Sequence, residues 1–552
     1  MTNEVRDPTL TFPVIIIYAI ASLYALIILL VFPNFTIDDA FITFRYAENL
    51  ANYGQLTWNV GEPAVEGYTG VFLPVVLALC IKSGFSPIIA AKAIGIASFF
   101  VGGLIITLLL SRRGTRPAVT GTVLVLYFAA PFGYVHALSG LETMLFATAI
   151  LASMLAMLHC LSPSSHQAFR ETAFLLILLM ASLIRPEGFA LSALFVVTVF
   201  WVETRRGENS RRFVGLFIVL YVLPVLGYLV WKYSYYGQLL PNTFYAKAYE
   251  AHILNPDTII DLGKFVMTYV AVPAMACIFL LLMYRHNLRR EISQKMMEPL
   301  SPAASTWIAS WLFVAIALLQ YMRTSLVMNY SSRFFFPFFP LILMTVGLVF
   351  EAALTWATRK ARRTLRAAHV IAIAVMLQLG LYVLVLQHDM AYYRMYKQII
   401  DYLAIPAGDL LRANMPKGEW LAVHSDAGAV PYYSKLKTVD FGGLNDKVLA
   451  SRPRLDERER VDYFYSVNPG AAVFTSVQWD TLDHDEEAQA IENDPRFERY
   501  ALVRKFRGPG SVFRWRPYFF MKERTDQYYY FLYVRKDLLK TLPHNRLEVR
   551  PE

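Results

Sequence analysis

A chain of 552 residues with 56% hydrophobic content and a mean hydropathy of +0.40 lies outside the range of a soluble globular protein. The formal charge of +10 sits largely in arginines of short loops between apolar blocks, a distribution that reflects membrane topology and excludes a nucleic-acid footprint. Cys80, Cys160 and Cys277 fall in or beside apolar segments without a CxxC pair, so neither a disulfide framework nor a thiolate metal site is indicated.

The first apolar run, Phe12 to Phe32, has the ~20 residues a bilayer crossing needs, and no small-x-small cleavage site precedes the polar stretch after it. It reads as a retained first span and not as a signal peptide. A polar loop, 34–87, follows. Within it, Val71 to Ile81 begins after Thr69-Gly70, contains Pro74 and is about half a span long, which predicts a helix lying in or dipping into the membrane surface. Further runs at 88–110, 118–135, 143–160, 172–184, 188–203, 213–231, 263–284, 304–321, 334–354 and 368–388 bring the total to about eleven spans. Residues 1–388 are thus expected to form a polytopic α-helical membrane domain.

Arginine placement orients these spans. Arg112, Arg113 and Arg116 share one loop; Arg205, Arg206, Arg211 and Arg212 a second; Arg285, Arg289, Arg290 and Lys295 a third; Arg359, Lys360, Arg362, Arg363 and Arg366 a fourth. If Val71 to Ile81 does not cross, all four loops fall on one side, which the positive-inside rule makes cytoplasmic. Segments 34–70, 135–142, 185–188, 232–261 and 322–333, with everything after His388, then face outward and hold most of the unusual polar residues.

From Asp389 to Glu552 the chain is charged and aromatic. Trp420 to His424, Ala472 to Val477, Tyr500 to Phe506, Val512 to Met521 and Tyr528 to Val534 read as strands, and His484 to Asn493 as a helix. Residues 389–552 are expected to form a soluble α/β domain on the outer side.

Asp38 and Asp39 stand where the first span leaves the membrane, at the start of an amphipathic helix expected to stop near Gly54. A carboxylate there can act as a general base on a hydroxyl; by residue preference alone, one of the pair can instead cap the helix. The surrounding run DDAFITFRYAENLANYGQLTWNVGEPAVEGYTG, Asp38 to Gly70, resembles the first outer loop of bacterial GT-C fold glycosyltransferases of the mycobacterial terminal arabinofuranosyltransferase type. SGLET (Ser139 to Thr143), RPEG (Arg185 to Gly188), YYGQLLPNTFYAK (Tyr235 to Lys247) and SDAGAVPYYSKLKTVDFGGLND (Ser425 to Asp446) resemble that family in the same order.

The resemblance implies an enzyme of the bacterial cytoplasmic membrane that moves a sugar, arabinofuranose first, from a polyprenyl-phosphate donor to a glycan or glycoprotein acceptor on the outer face. It implies a catalytic Asp in the first outer loop, with Asp38 favoured and Asp39 orienting the acceptor or holding a cation, and no nucleotide site. Such a donor departs as a phosphate monoester, whose growing charge needs cationic partners. Arg45, Arg185, Lys247 and Arg333 are the candidates for that phosphate; Arg185 can also be a snorkelling side chain paired with Glu187. Glu142, Glu66, His136 and Glu187 are the candidates for sugar or acceptor contact, although Glu142 could equally cap the helix beginning near Thr143. No cofactor is demanded, a divalent cation is allowed, and no metal ligand set is assigned. A hexose such as mannose would suit the same architecture. A glycolipid transporter or flippase is the alternative class, but it would favour ionisable residues at mid-span or similar halves. Here the charges cluster at span ends.

Overall fold

The computed structural model describes residues 11–207, 210–247, 254–289, 301–324, 326, 328–357, 361–450, 455–483, 486–509, 512–515 and 524–539. Ten helices are long and apolar enough to cross a membrane, eleven when Pro117–Ala129 and Pro131–Leu138 are taken as one bent span. The chain is a multi-pass membrane protein. The 57° bend has a local cause: Pro131 has no N–H to continue the helical ladder and its ring crowds the preceding turn. Prolines also open the helices at Pro87, Pro117, Pro256 and Pro302, where a missing N–H costs nothing. The apolar segment after the first outer loop is an 11-residue helix, Phe72–Lys82, half the length of a span.

Ion pairs mark one end of the bundle. Arg116 Nη1 meets Glu351 Oε1 at 2.5 Å and Arg212 Nη2 meets Glu171 Oε1 at 2.7 Å, joining spans beside the arginine-rich loops. At the opposite end the polar connections bond to one another through their backbones. Ile37 N donates to Ser139 O at 3.1 Å, Asn242 N to Glu66 O at 2.9 Å and Asn255 N to Met322 O at 2.7 Å. Motifs far apart in sequence therefore meet on one face of the molecule. The glycine of the YTG sequence has a steric reason there: a Cβ on Gly70 would lie 2.0 Å from the carbonyl oxygen of Ile184, the residue before Arg185.

The last span does not stop at 388. Thr364–Asn414 is one run of 51 helical residues, with a π-helical turn at Ile400–Ala404. At 1.5 Å per residue it extends about 75 Å, more than twice the ~30 Å hydrocarbon thickness. Its second half thus stands above the bilayer and carries the tail on a rigid stalk, and the boundary expected at 388/389 lies inside that helix.

The tail holds a five-stranded sheet in the order β2-β1-β3-β7-β4, from β1 (Trp420–Val423), β2 (Lys437–Asp440), β3 (Ala471–Ser476), β4 (Tyr500–Phe506) and β7 (Tyr529–Arg535). β2 and β3 run parallel to β1; β7 runs antiparallel to β3 and β4. β3 and β7 are buried on both faces, which is why AAVFTS and YYFLYV read as continuous strand-forming runs. The short polar β2, KTVD, gave no such signal. β5 (Val512–Trp515) and β6 (Arg524–Gln527) form a separate ribbon, and positions 516–521 of the long strand expected there lie outside the described residues.

Candidate active site

The helix Asp38–Tyr53, which follows the first span, ends at Gly54 in the left-handed conformation, φ 69°. Its N-cap is Ile37, and no side chain caps it. Asp38 and Arg45 are seven residues apart, which places them on one face, about two turns and 10 Å from each other along the axis. Lying along that face is a six-residue helix of the tail, Ala429–Ser434, the crossover between β1 and β2.

Both oxygens of Asp38 accept backbone N–H groups at the start of that helix. Gly428 N lies 2.7 Å from Oδ2 and Ala429 N 2.7 Å from Oδ1. At the other end Arg45 donates Nη1 to Pro431 O at 2.7 Å and Nη2 to Leu436 O at 2.7 Å. Two further donors go to Trp58 O at 2.8 Å and Asn59 Oδ1 at 2.9 Å. An anion at the N-terminus of the short helix and a cation near its C-terminus complement its dipole. Asp38 and Arg45 thus form the two jaws of a clasp that holds the tail on the membrane domain. The approach is so close that a Cβ on Gly428 would lie 1.9 Å from the backbone oxygen of Asp38. Burial, and next the negative charge of Asp426, hold the Asp38 carboxyl well above the usual carboxylate range. Burial pulls the Arg45 guanidinium down to about 10, so it stays charged at neutral pH.

This geometry departs from the expectation for both residues. Asp38 is 4% exposed with both oxygens occupied, a poor position from which to receive an acceptor proton. Arg45 is buried and spends four of its five N–H donors on fixed oxygens, which leaves little of it for a phosphate.

Asp39 points elsewhere. Its side chain is 24% exposed, and Oδ2 lies 3.6 Å from Arg333 Nη1. Arg333 Nη2 reaches Glu142 Oε1 at 3.4 Å, and the same oxygen takes Arg185 Nη1 at 3.0 Å. Arg185 then grips Glu187 with two donors, Nη2 to Oε1 at 2.8 Å and Nε to Oε2 at 3.3 Å, and Tyr321 Oη donates to Glu187 Oε1 at 2.6 Å. The loops at this end of the bundle therefore assemble one row of alternating charges, Asp39, Arg333, Glu142, Arg185 and Glu187. Apart from Asp39 its members are almost fully buried, and such charges persist only when paired. Glu142 precedes the helix Thr143–Cys160 but makes no side-chain cap; its carboxylate is committed to the two arginines.

His136 and Glu66 lie outside this row. His136 is fully buried, with Nε2 3.0 Å from Ser331 O and its ring 4.6 Å from that of Phe336. It props the segment that carries Arg333 and is not placed to meet a sugar. Glu66 pairs with buried Lys232 at 2.9 Å, beside the Tyr68 and Tyr236 hydroxyls, in a separate polar pocket under the outer loop. Lys247 ends the short helix Asn242–Lys247, and its side chain lies outside the described residues. Among the described residues no group of three or more His, Cys, Asp or Glu side chains is arranged to hold a metal ion.

Reading the sequence missed Tyr321, whose partner is set by span packing, and Asp426. The latter lies in the SDAG run between β1 and the clasp helix; its Oδ2 accepts Tyr528 Oη at 2.7 Å and Tyr530 Oη at 2.6 Å. A strand leading through Ser-Asp-Ala-Gly into a helix was the signal available.

The overall fold recurs in known structures. ArnT from Cupriavidus metallidurans, bound to undecaprenyl phosphate, superposes with a TM-score of 0.53 over 94% of this chain and 97% of its own, at 13% identity. The chain has the GT-C fold. The archaeal oligosaccharyltransferase AglB from Archaeoglobus fulgidus, in complex with an inhibitory peptide and a dolichol-phosphate, matches with a TM-score of 0.52 over 84% of this chain and 69% of that one, at 12% identity. Residues 391–533 match a family described as a domain of unknown function (DUF8728). Comparison with curated protein sequences gives no match. At identities this low the GT-C likeness concerns the fold, and the chemistry must be argued from the site.

Proposed function

We propose that this GT-C protein is a glycosyltransferase that takes a sugar from a polyprenyl-phosphate carrier and works on the outer face of the cytoplasmic membrane. The observation that carries the reading is the state of Arg333. It is a buried guanidinium whose Nε–H has no hydrogen-bond partner among the described residues and whose two carboxylate contacts, at 3.4 and 3.6 Å, are long. A buried, under-used donor fork on the face where the outer loops meet suits an incoming phosphate, which takes planar bidentate contacts. Glu142 and Arg185 hold that fork in place.

In the proposed reaction an acceptor hydroxyl oxygen bonds to the anomeric carbon. The bond from that carbon to the phosphate oxygen breaks with its electron pair on the phosphate, and the hydroxyl proton passes to Asp39. Asp39 takes this role because it is the more exposed of the two outer-loop carboxylates and faces Arg333. Arg333 stabilises the negative charge growing on the leaving phosphate. The sugar that the outer-loop resemblance implies is arabinofuranose, with a glycan or glycoprotein acceptor. The outward orientation follows from the arginine loops at the opposite end.

The test is to incubate the purified protein with a panel of polyprenyl-phosphate sugars, with and without a chelator, and to follow donor consumption. Consumption of the arabinofuranosyl lipid is expected, and of no nucleotide sugar. Activity with a nucleotide sugar alone would overturn the lipid-donor reading.

A further inference from the structure

Two buried hydrogen-bond donors stand side by side at the charged row, and neither is used by the fold. One is Arg333 Nε–H. The other is the hydroxyl of Tyr330, which is buried and has no hydrogen-bond partner among the described residues. Ser139 lies near that hydroxyl without bonding to it in normal geometry, and the charges of Arg333, Asp39 and Glu142 all reach it. The guanidinium carbon of Arg333 is 5.9 Å from the centre of the Tyr330 ring.

Leaving a buried hydroxyl unpaired is costly, and phenylalanine would avoid that cost. The segment that follows is built from Phe334, Phe335, Phe336, Phe338 and Phe339, so packing here calls for rings and not for a hydroxyl. The turn that carries the pair is held firmly. Arg333 N donates to Tyr330 O at 3.1 Å across Ser331 and Ser332, whose φ values are 43° and 54°. Ser331 is clamped from two sides, with its Oγ 2.7 Å from Tyr393 Oη of the stalk and its carbonyl oxygen 3.0 Å from His136 Nε2. The clamp fixes ring and guanidinium against each other while consuming neither of the two donors. A cationic N–H and a neutral O–H presented together suit an oxyanion with more than one acceptor oxygen, and the phosphate of the carrier has them.

We propose that Tyr330 is a catalytic residue of this site, whose phenol hydroxyl donates a hydrogen bond to a non-bridging oxygen of the carrier's phosphate beside Arg333. The phenol keeps its proton throughout. As the bond from the anomeric carbon to the phosphate oxygen breaks, negative charge grows on the phosphate and the hydrogen bond strengthens, so Tyr330 lowers the barrier as well as holding the donor. The inference rests on the glycosyl-transfer reading and adds to it a residue that senses the phosphate and not the lipid chain.

The experiment uses full-length Tyr330→Phe protein in nanodiscs. It measures thermal unfolding, the affinities for undecaprenyl phosphate and for undecaprenol, which lacks the phosphate, and transfer from a polyprenyl-phosphate sugar. The expected result is a melting temperature unchanged or raised, undecaprenyl-phosphate affinity lowered roughly 10- to 150-fold by loss of a hydrogen bond to a charged group, unchanged undecaprenol affinity, and a kcat that falls as well. Wild-type affinity for undecaprenyl phosphate overturns the inference and leaves the glycosyl-transfer reading standing. Equal weakening toward both lipids, or a lowered melting temperature, also overturns it, because Tyr330 would then only shape the fold. A wild-type protein that does not prefer undecaprenyl phosphate to undecaprenol and consumes no polyprenyl-phosphate sugar overturns the functional reading, and the inference falls with it.

Discussion

Replacing Asp38 by Asn separates a jaw of the clasp from a catalytic base. Asn would be expected to serve well as an ordinary cap, but Asp38 caps a different helix and does so with both oxygens. An amide keeps one of those bonds and turns its NH2 toward the other N–H. The lost charge-assisted bond is worth ~1.5–3 kcal/mol, and the stranded N–H overlaps with that cost. Loss of the charge at the helix start adds up to ~1 kcal/mol, and relief of the repulsion from Asp426 returns a similar amount. A net weakening of about 1.5–3 kcal/mol opens the clasp roughly 10- to 150-fold more often. Hydrogen–deuterium exchange of the peptide covering Gly428 and Ala429 reports that opening directly. Faster exchange by that factor, with activity falling alongside, is expected for Asp38→Asn; Asp39→Asn is expected to keep wild-type exchange and lose transfer by about 100-fold or more. Unchanged protection in Asp38→Asn together with abolished transfer would refute the assignment and make Asp38 the base.

Arg333→Lys replaces a planar fork by a point charge, and loss of a charged hydrogen bond predicts donor kcat/KM lower by about 10- to 150-fold with little change in acceptor KM, measured by initial rates. Burial raises Glu66 from 4.5 to about 7, against the pull of Lys232. Between those values the folded chain keeps a proton that the unfolded chain has released, so stability falls as pH rises through the window; Glu66→Gln is expected to flatten that part of the melting-temperature profile. For topology, Glu486→Cys should react with an impermeant thiol reagent added from outside, and Arg205→Cys should not; the reverse pattern would invert the orientation of every loop.

The positions of the spans, apart from the bend at Pro131 and the end of the last helix, the half-length helix after the first loop and the buried strands β3 and β7 were legible because each depends on a local property: apolar length, proline placement, or a run of strand-forming residues. The gathering of polar motifs on one face followed from counting spans and arginines. Site chemistry was legible only as residue type. Glu142, Arg185, Glu187 and Arg333 were recognisable as charges at span ends, yet their order in one row depends on how the spans pack.

Asp38 and Arg45 show where the sequence by itself ran out. Their seven-residue spacing places both on one face of a helix, and the sequence determines that much. What occupies the face does not: the partners are Gly428, Ala429, Pro431 and Leu436, between 386 and 391 residues away. A carboxylate at a membrane surface is a base when a substrate reaches it and a helix cap when a backbone does, and the same side chain serves either use. Only the docking of the tail, through a glycine small enough to touch the Asp38 backbone, decided between them.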